Sequence, residues 1–584
     1  MRCLAAAAAF VLISACSTQP SDSAATAKAI TTAMPASRAE AAKPTPAAGI
    51  HEAKSPERPI AVSVFSINDF HGYLKPYAAG FRVHESGDPK RSVTVAAGGS
   101  EYLASAIAEL RRSNPNSIFV GAGDLIGASP FLSAHFHDEP TIESLSSMGL
   151  EVSTVGNHEF ERGVPELLRM QNGGCHPTDG CAGPMPFKGA TFKYLAANVV
   201  DRKSGLTLFA PYHIKHFEGV PVAFIGVTLR GTVGMVPEEH VQGVRFDDEV
   251  AAVNRTVTEL RARGVEAIVV LLHQGGVSSG GANDCDGIAG PIVNLVPKLD
   301  KAVDVVVTGH THRAYICRID GRLVTNGDKY GSLITRIDLT LDPVNKDVIS
   351  AVGENIVVSP ARFGRDAIQS RLIEAYEHRA AALGQRVVGR TTAAFSRESN
   401  PAGESAMGDL VADAMLAATS SAGAELALAS PGSIRSGLAF AVDGLIRYED
   451  LFAAQPFGNL LVTVTIKGAQ LRQLLEHQWS NPNYPNGRVL QVSRGFTYSW
   501  DARLPASRRI VTDSLRLNGK PVGDTDDVRV TVTSMMAQGS GATSPFRAKQ
   551  AVQSGPTDLA ALEAYVAATS PLTPARPDRI RRIN

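Results

Sequence analysis

The sequence predicts an α/β protein of two domains. Three observations point there: strand-length apolar runs alternate with amphipathic helical segments, metal-ligand residues recur just after those runs, and histidine and tryptophan are segregated between the halves. At roughly 100 to 200 residues per domain, 584 residues ask for more than one domain. An apolar content of 44% excludes a disordered chain. The balance of 57 basic against 57 acidic side chains supplies no global field to draw in nucleic acid or anionic lipid. Any phosphate-bearing partner must then be held by a local site, and no nucleic acid polymer is expected.

Taken from the N-terminus, Arg2 precedes an apolar run over 4–13 and the small residues Ser14, Ala15 and Cys16. A run that short does not span a bilayer, and its basic start and small-residue end read as a secretory signal over 1–16. Ile-Ser-Ala-Cys at 13–16 resembles the bacterial lipobox, which predicts an exported, periplasmic or cell-envelope lipoprotein that meets a membrane only through its lipid. Ordinary signal cleavage nearby is the alternative. Residues 17–58, rich in Ala, Ser, Thr and Pro and without an aromatic, read as a flexible tether. No later stretch reaches the ~18 uninterrupted apolar residues of a membrane helix.

Runs at 60–67, 117–121, 222–227, 267–272 and 303–308 have the length and composition of buried strands, and 101–112 and 248–263 carry helical spacing between them. Strong helix formers over 365–385 predict a helix joining two domains. Beyond about residue 387 the chemistry changes. Only His378 and His477 of 15 histidines follow residue 320, whereas Trp479 and Trp500 both do. The expected limits are 59–360 for the first domain, 361–386 for the connecting helix, 387–560 for the second domain and 561–584 for a tail.

Outside the export segment the cysteines are Cys175, Cys181, Cys285 and Cys317. In an oxidising compartment an even number suggests two disulfides, with Cys175–Cys181 and Cys285–Cys317 the simplest of three connectivities. A four-thiolate zinc site is the alternative, although no CxxC pair is present.

Five motifs place ligand-type residues at or near predicted strand ends: Asn68-Asp69-Phe70-His71-Gly72, Gly123-Asp124, Gly156-Asn157-His158-Glu159, Leu272-His273-Gln274-Gly275 and Gly309-His310-Thr311-His312. The carboxyl ends of strands are where α/β sheets bind ligands. Each motif alone has a plain explanation, since an Asp after a strand usually caps a helix and a lone His usually packs or lies on the surface. Their recurrence is the signal. Carboxylate, amide oxygen and imidazole without thiolate suit Zn, Mn or a similar divalent ion. Asp69, His71, Asp124, Asn157, His273, His310 and His312 are too many for one metal with an open position, and they suit two.

Here the chain resembles the calcineurin-like metallophosphoesterases, and more closely the 5′-nucleotidase family, which includes 2′,3′-cyclic phosphodiesterases and nucleotide-sugar hydrolases. The resemblance spans about residues 60 to 550. It implies a β-sandwich core flanked by helices, followed by an α+β C-terminal domain. It further implies that Asp69, His71 and His312 hold one ion, that Asn157, His273 and His310 hold the other, and that Asp124 bridges them. In many relatives the His312 position is Gln. By the same resemblance His158 stabilises the transition state or protonates the leaving oxygen, oriented by Glu161 where relatives have Asp.

In the second half, Glu404-Ser405-Ala406-Met407-Gly408-Asp409-Leu410 with Asp413 looks like the opening of the family's C-terminal domain. By similarity Arg435, in Pro431-Gly432-Ser433-Ile434-Arg435, contacts substrate, and in Gln455-Pro456-Phe457-Gly458-Asn459 the Phe457 ring stacks on the base with Asn459 beside the nucleoside. The partner loops depart from the family. Ser493-Arg494-Gly495 replaces Ser-Gly-Gly, Met536 stands where relatives place a second aromatic, and Gly539-Ser540-Gly541-Ala542 replaces Gly-Gly-Asp-Gly. Gly495 and Met536 are expected to bind substrate, with Arg494 and Met536 the residues that depart from the family.

Together these features predict a monomeric exported dimetal phosphohydrolase that removes phosphate from nucleotides. A cyclic phosphodiesterase, nucleotide-sugar hydrolase or broader phosphomonoesterase is the alternative. A non-catalytic surface-binding lipoprotein is the remote one.

Overall fold

The computed structural model describes residues 58–77, 79–85, 88–480, 487–538, 546 and 553–584. The signal expected over 1–16, the tether up to residue 57 and the loop 539–542 lie outside them. No helix among the described residues is long and apolar enough to cross a membrane.

The first half is built on strands β1 (Ile60–Ile67), β2 (Ser117–Ala122), β3 (Val152–Thr154), β4 (Lys193–Leu195), β5 (Tyr212–Phe217), β6 (Val220–Thr228), β7 (Ala267–His273), β8 (Val305–Thr308), β9 (Tyr315–Ile319), β10 (Arg322–Asn326), β11 (Leu333–Leu341) and β12 (Val348–Val357). They form two six-stranded sheets, ordered β12-β11-β1-β2-β3-β4 and β9-β10-β8-β7-β6-β5. Val62, Val64, Ile118 and Val120 of the first sheet pack against Phe224, Val269, Leu271 and Val307 of the second. Both faces of β7 are buried, so its sequence reads as a continuous apolar run and not an alternating one.

Helices cover the outer faces. In α1 (Ser100–Ser113) Leu103, Ile107 and Leu110 recur at helical spacing and meet Phe65 and Phe119. In α2 (Glu249–Ala262) Val253, Val257 and Leu260 meet Ile225 and Val270, and Asp248 caps the start by accepting from the Ala251 N–H. The disulfides are Cys175–Cys181 and Cys285–Cys317, so the four-thiolate zinc alternative does not apply.

The joining helix, α3 (Ala367–Gly384), packs mainly on the first half and also meets Tyr448 and Phe452 of the second. Ile373 enters the same core as α1, Gln369 bonds Ser144 and Ser147, and the Tyr376 ring lies 4.8 Å from that of Phe136.

In the second half, α4 (Ala406–Ala418) precedes strands β13 (Leu426–Ala429), β14 (Leu460–Lys467), β15 (Gln491–Val492), β16 (Phe496–Asp501), β17 (Asp527–Thr533), β18 (Gln553–Thr557) and β19 (Ile580–Ile583), with α5 (Asp558–Thr569) before the last. One five-stranded sheet runs β15-β13-β17-β14-β18. The tail expected over 561–584 is instead part of this body. Leu559, Leu562 and Val566 of α5 bury against Met407, Leu410 and Val411 of α4, and β19 pairs in parallel with β16. Polar groups lock that strand in place: Glu404 accepts from the Arg579 and Ile580 N–H groups at 3.0 Å, and Arg579 grips Asp413 at 2.7 and 2.9 Å. The partner of this short strand is remote in the chain, which local patterning does not register. The motif from Glu404 to Asp413 therefore builds the domain.

Candidate metal centre

The candidate ligands sit where parallel strands end. Strands β1, β2 and β3 run parallel in one sheet, as do β6, β7 and β8 in the other. Asp69 follows β1, Asp124 follows β2, Asn157 follows β3, His273 ends β7 and His310 follows β8. Five of the seven, Asp69, His71, Asp124, His310 and His312, have φ between 49° and 71°. Non-glycine residues seldom adopt that conformation, and its cost is tolerated where surrounding contacts impose it. Here the loops hold one another: the Asp69 N–H donates to the Gly123 carbonyl and the His71 N–H to that of Asp124, each at 3.0 Å. Gly123 lies at φ 84°, and a Cβ there would come within 2.6 Å of His273 Nδ1. The centre closes only around a bare backbone at that point.

Asp124 is the hub. Its Oδ2 lies 3.0 Å from His273 Nε2, 3.8 Å from His71 Nε2 and 4.0 Å from His158 Nε2. On the other side His312 Nε2 is 3.1 Å from both Asp69 Oδ1 and His71 Nε2. Two groups thus bring their ligand atoms within 4.8 Å of one another: Asp69, His71 and His312, and Asp124, His273 and His310. Within this set only His310 and His312 are less than fully buried.

The donor chemistry fits divalent ions. His71 Nδ1 faces the Gly127 carbonyl and His273 Nδ1 that of Ala122, both at 2.8 Å. A proton held there leaves Nε2 with its lone pair toward the centre, the usual arrangement behind a metal-bound imidazole. Asn157 Oδ1 is buried with no hydrogen-bond partner among the described residues. An orphaned buried acceptor costs about 1 to 3 kcal/mol unless something satisfies it, and a cation would.

Electrostatics agree with that picture. Burial, reinforced by His158, holds His71 well below the usual imidazole range. Burial and then His273 push His310 down to about 4, and burial with Lys329 lowers His312. Burial would raise Asp124, but His273 and His158 prevail and hold it well below the carboxylate range. The same pairing takes His273 up to about 10 against its burial. His71, His310 and His312 are thus neutral, the form that ligates metal, around an ionised Asp124, whereas His273 carries a proton that a bound cation would have to displace.

His158 and Glu161 also meet as expected, with Nδ1 2.6 Å from Oε1. Glu161 is itself anchored by the Ala128 N–H at 3.1 Å. Burial works against protonation of His158, yet Glu161 and Asp124 raise it.

Sequence reasoning passed over Glu159. Its carboxylate accepts from the N–H groups of Asp124 at 3.0 Å, Leu125 at 2.8 Å and Gly156 at 2.6 Å, and so ties two ligand loops together. Burial, then Asp124, pushes it up to about 7. The signal available was its place in the Gly156–Glu159 motif, directly after His158. Glu159→Ala is expected to weaken metal affinity about 10- to 100-fold, as loss of such a support does, read by titrating metal into the chelated protein. Asn68 acts likewise, donating to Asp69 Oδ2 and to the Asp328 carbonyl at 2.7 Å.

From the second half, Phe457 stacks near His158 with ring centroids 6.3 Å apart and an interplanar angle of 26°. The Arg435 guanidinium lies 5.9 Å from the Phe457 ring, and its Nη2 is buried without a hydrogen-bond partner among the described residues. Its charge reaches His71, His158 and His312. Asn459 donates to Asp558 Oδ2 at 3.3 Å. Gly495 has φ 88°, and a Cβ there would meet Asn518 Oδ1 at 2.5 Å, so its glycine is required by the turn. Arg494 places its guanidinium over Tyr565, 5.8 Å from the ring. Met536 is half-buried against the core of the second half.

Two family models match the chain: calcineurin-like phosphoesterase over residues 63–314 and the 5′-nucleotidase C-terminal domain over residues 387–548. The chain is 33% identical over 516 residues to the endonuclease YhcR of Bacillus subtilis, an alignment covering 88% of this chain and 40% of that protein. It is 30% identical over 476 residues to the cell wall protein Lmo0130 of Listeria monocytogenes, covering 76% and 58%. It thus spans about half the length of these curated relatives. Among solved structures, a 5′-nucleotidase precursor from Thermus thermophilus shares the fold, with a TM-score of 0.72 and 24% identity over 90% of this chain and all of that one.

Proposed function

Since the chain belongs to the 5′-nucleotidase family of calcineurin-like phosphoesterases, whose members are hydrolases requiring divalent metals, we propose that it is an exported phosphohydrolase that removes phosphate from nucleotides. Residues 59–360 are assigned to the metal-bearing domain, 361–386 to the connecting helix and 387–560, extended by α5 and β19, to the substrate-gripping domain. Export and lipid attachment rest on residues 1–16. Similarity to a protein named for the cell wall supports an envelope location.

The observation that carries this reading is the convergence of Arg435 and Phe457 on His158. An unpaired guanidinium and a flat ring beside an acid–base histidine suit an anionic phosphate joined to a base. Asp69, His71 and His312 would hold one ion, Asn157, His273 and His310 a second, and Asp124 both, with Zn or Mn suited to the donor set. Two such ions supply an activated water and neutralise charge on the phosphoryl oxygens. Arg435 orients the phosphate. Glu161 fixes the His158 ring so that Nε2 faces the centre, where it donates a hydrogen bond or a proton to the departing oxygen. Phe457 holds the base, and Asn459 borders the nucleoside. Gly495 and Met536 shape the rest of the pocket, where a thioether in place of a second ring predicts weak choice between bases.

The deciding measurement is turnover of nucleoside monophosphates, 2′,3′-cyclic nucleotides, a nucleotide sugar and an aryl phosphate, after chelation and with each metal added back. Preference for the aryl phosphate would remove the nucleotidase label. Phe457→Ala is expected to raise KM for a nucleoside monophosphate by about five- to 150-fold, the equivalent of 1 to 3 kcal/mol of stacking, and to leave aryl phosphate kinetics unchanged.

A further inference from the structure

The disulfide Cys175–Cys181 closes a short loop, Cys175-His176-Pro177-Thr178-Asp179-Gly180-Cys181, that contributes no residue to the candidate metal centre. Its His176 ring stacks on that of His137, with centroids 3.8 Å apart and planes 4° from parallel. Glu166, in the first turn of the helix Val164–Asn172, stands beside them. One ligand atom from each of His137, Glu166 and His176 lies within 4.8 Å of the other two. The three side chains are only 11%, 12% and 19% exposed, so three separate segments of the chain bring metal-ligand groups together out of bulk water.

Asp179 borders both rings. Its Oδ2 is 2.9 Å from His137 Nε2 and 3.5 Å from His176 Nδ1, which leaves His137 Nδ1 and His176 Nε2 as the remaining nitrogens. Burial, then His176, pushes His137 down to about 4, so its ring is neutral. With Nε2–H donating to Asp179, Nδ1 carries the lone pair, and this atom is buried with no hydrogen-bond partner among the described residues. Such an orphan costs about 1 to 3 kcal/mol unless something satisfies it, and a cation would. A carboxylate on one imidazole nitrogen with the other left bare is the usual setting of a metal-binding histidine. His137 and Asp138 also have φ of 55° and 64°, a conformation held by the Ser133 hydroxyl donating to Asp138 at 2.7 Å. The Glu166 oxygens accept from Arg169 Nε and Nη2 at 2.8 Å, and each keeps a second lone pair. Arg162 is the opposing charge near His137, and Glu166 and Asp179 offset it.

We propose that His137, His176 and Glu166 bind a zinc ion or a similar divalent transition metal, with Asp179 orienting both imidazoles, at a site separate from the candidate centre. Two imidazoles and one carboxylate suit such an ion, whereas magnesium and calcium favour oxygen ligands throughout. Water takes the fourth position. His176 Nδ1 now accepts from the Asp179 N–H at 3.2 Å and the Thr178 N–H at 3.4 Å. On binding, the His176 proton moves from Nε2 to Nδ1, where the Asp179 carboxylate receives it as a hydrogen bond. Because a metal lies in the plane of an imidazole that binds it, the two rings also open from their stack. The ion then ties the disulfide loop, the segment around His137 and the helix Val164–Asn172 together, whatever substrate the protein hydrolyses.

The test strips the full chain with a chelator, titrates zinc back and counts bound zinc by elemental analysis after gel filtration. The parent should hold about one zinc per chain more than the variant His137→Gln with His176→Gln. That variant should keep phosphate-ester turnover within about twofold of the parent's, as a site independent of the catalytic centre allows. Asp179→Ala, which truncates an exposed side chain and leaves the packing intact, should weaken the additional ion about 10- to 100-fold, as removal of a carboxylate behind a metal-bound imidazole does. His216→Gln, an exposed histidine outside the cluster, should change neither count nor affinity. Equal zinc counts in the parent and the double variant, or unchanged affinity in Asp179→Ala, would overturn the proposal. So would turnover that falls in step with the lost ion, since the site would then belong to the catalytic centre, and so would displacement of the ion by excess magnesium.

Discussion

Asp124→Asn should lower phosphate-ester turnover by about 10³-fold or more with saturating metal, since the ions contribute several kcal/mol to the transition state and each 1.4 kcal/mol is tenfold. The substitution keeps the shape and removes the charge. In the native centre that charge sits 3.0 Å from His273 and within 4.0 Å of His71 and His158, while Oδ1 accepts from the His158 N–H at 2.9 Å. Asn can preserve the last contact but cannot hold two dications together. Metal content by elemental analysis should fall in parallel. Near-parental turnover would refute the assignment of the centre.

His158→Ala is expected to reduce kcat by about 10²- to 10⁴-fold, the range of a lost general acid, with little change in KM. The structure makes this a discriminating test, because His158 stands close enough to His71 and Asp124 to serve as a ligand itself. Its Nδ1 is taken by Glu161 at 2.6 Å, and its Nε2 lies farther from Asp124 than that of His273. An acid–base role therefore predicts that the variant keeps the parental metal content. Loss of one ion would move His158 into the ligand set. Glu161→Gln should produce a smaller fall and leave metal content unchanged, since the longer acid orients the ring from a backbone-anchored position.

How far the site could be read without a structure differs from residue to residue. Asp69, Asp124 and His273 were legible because each follows or ends a strand-length, largely apolar run, and strand ends are where such sheets place ligands. Asn157 rested on its motif, because β3 is only three residues long. Glu159 was not legible. Its function is to receive three backbone N–H groups from two loops, and nothing local distinguishes that from a capping acid. The same holds for Arg579 and β19, whose partners Asp413 and Glu404 lie 166 and 175 residues away. The joining helix was visible from its helix formers, but its packing partners, Ser144 and Phe136 in the first half and Tyr448 and Phe452 in the second, were not.

The sequence by itself determined the strand runs, the two-part division, the candidate ligand set and the place of His158 beside it, because those depend on periodicity and on residue types at short spacing. Only the tertiary structure decided which imidazoles face one another and that Arg435 and Phe457 arrive beside His158. Charge summed along a chain cancels, whereas the field at a site depends on distance. Folding alone sets distance, so a chain with zero net charge can still bring Arg435 to a cluster of imidazoles and carboxylates.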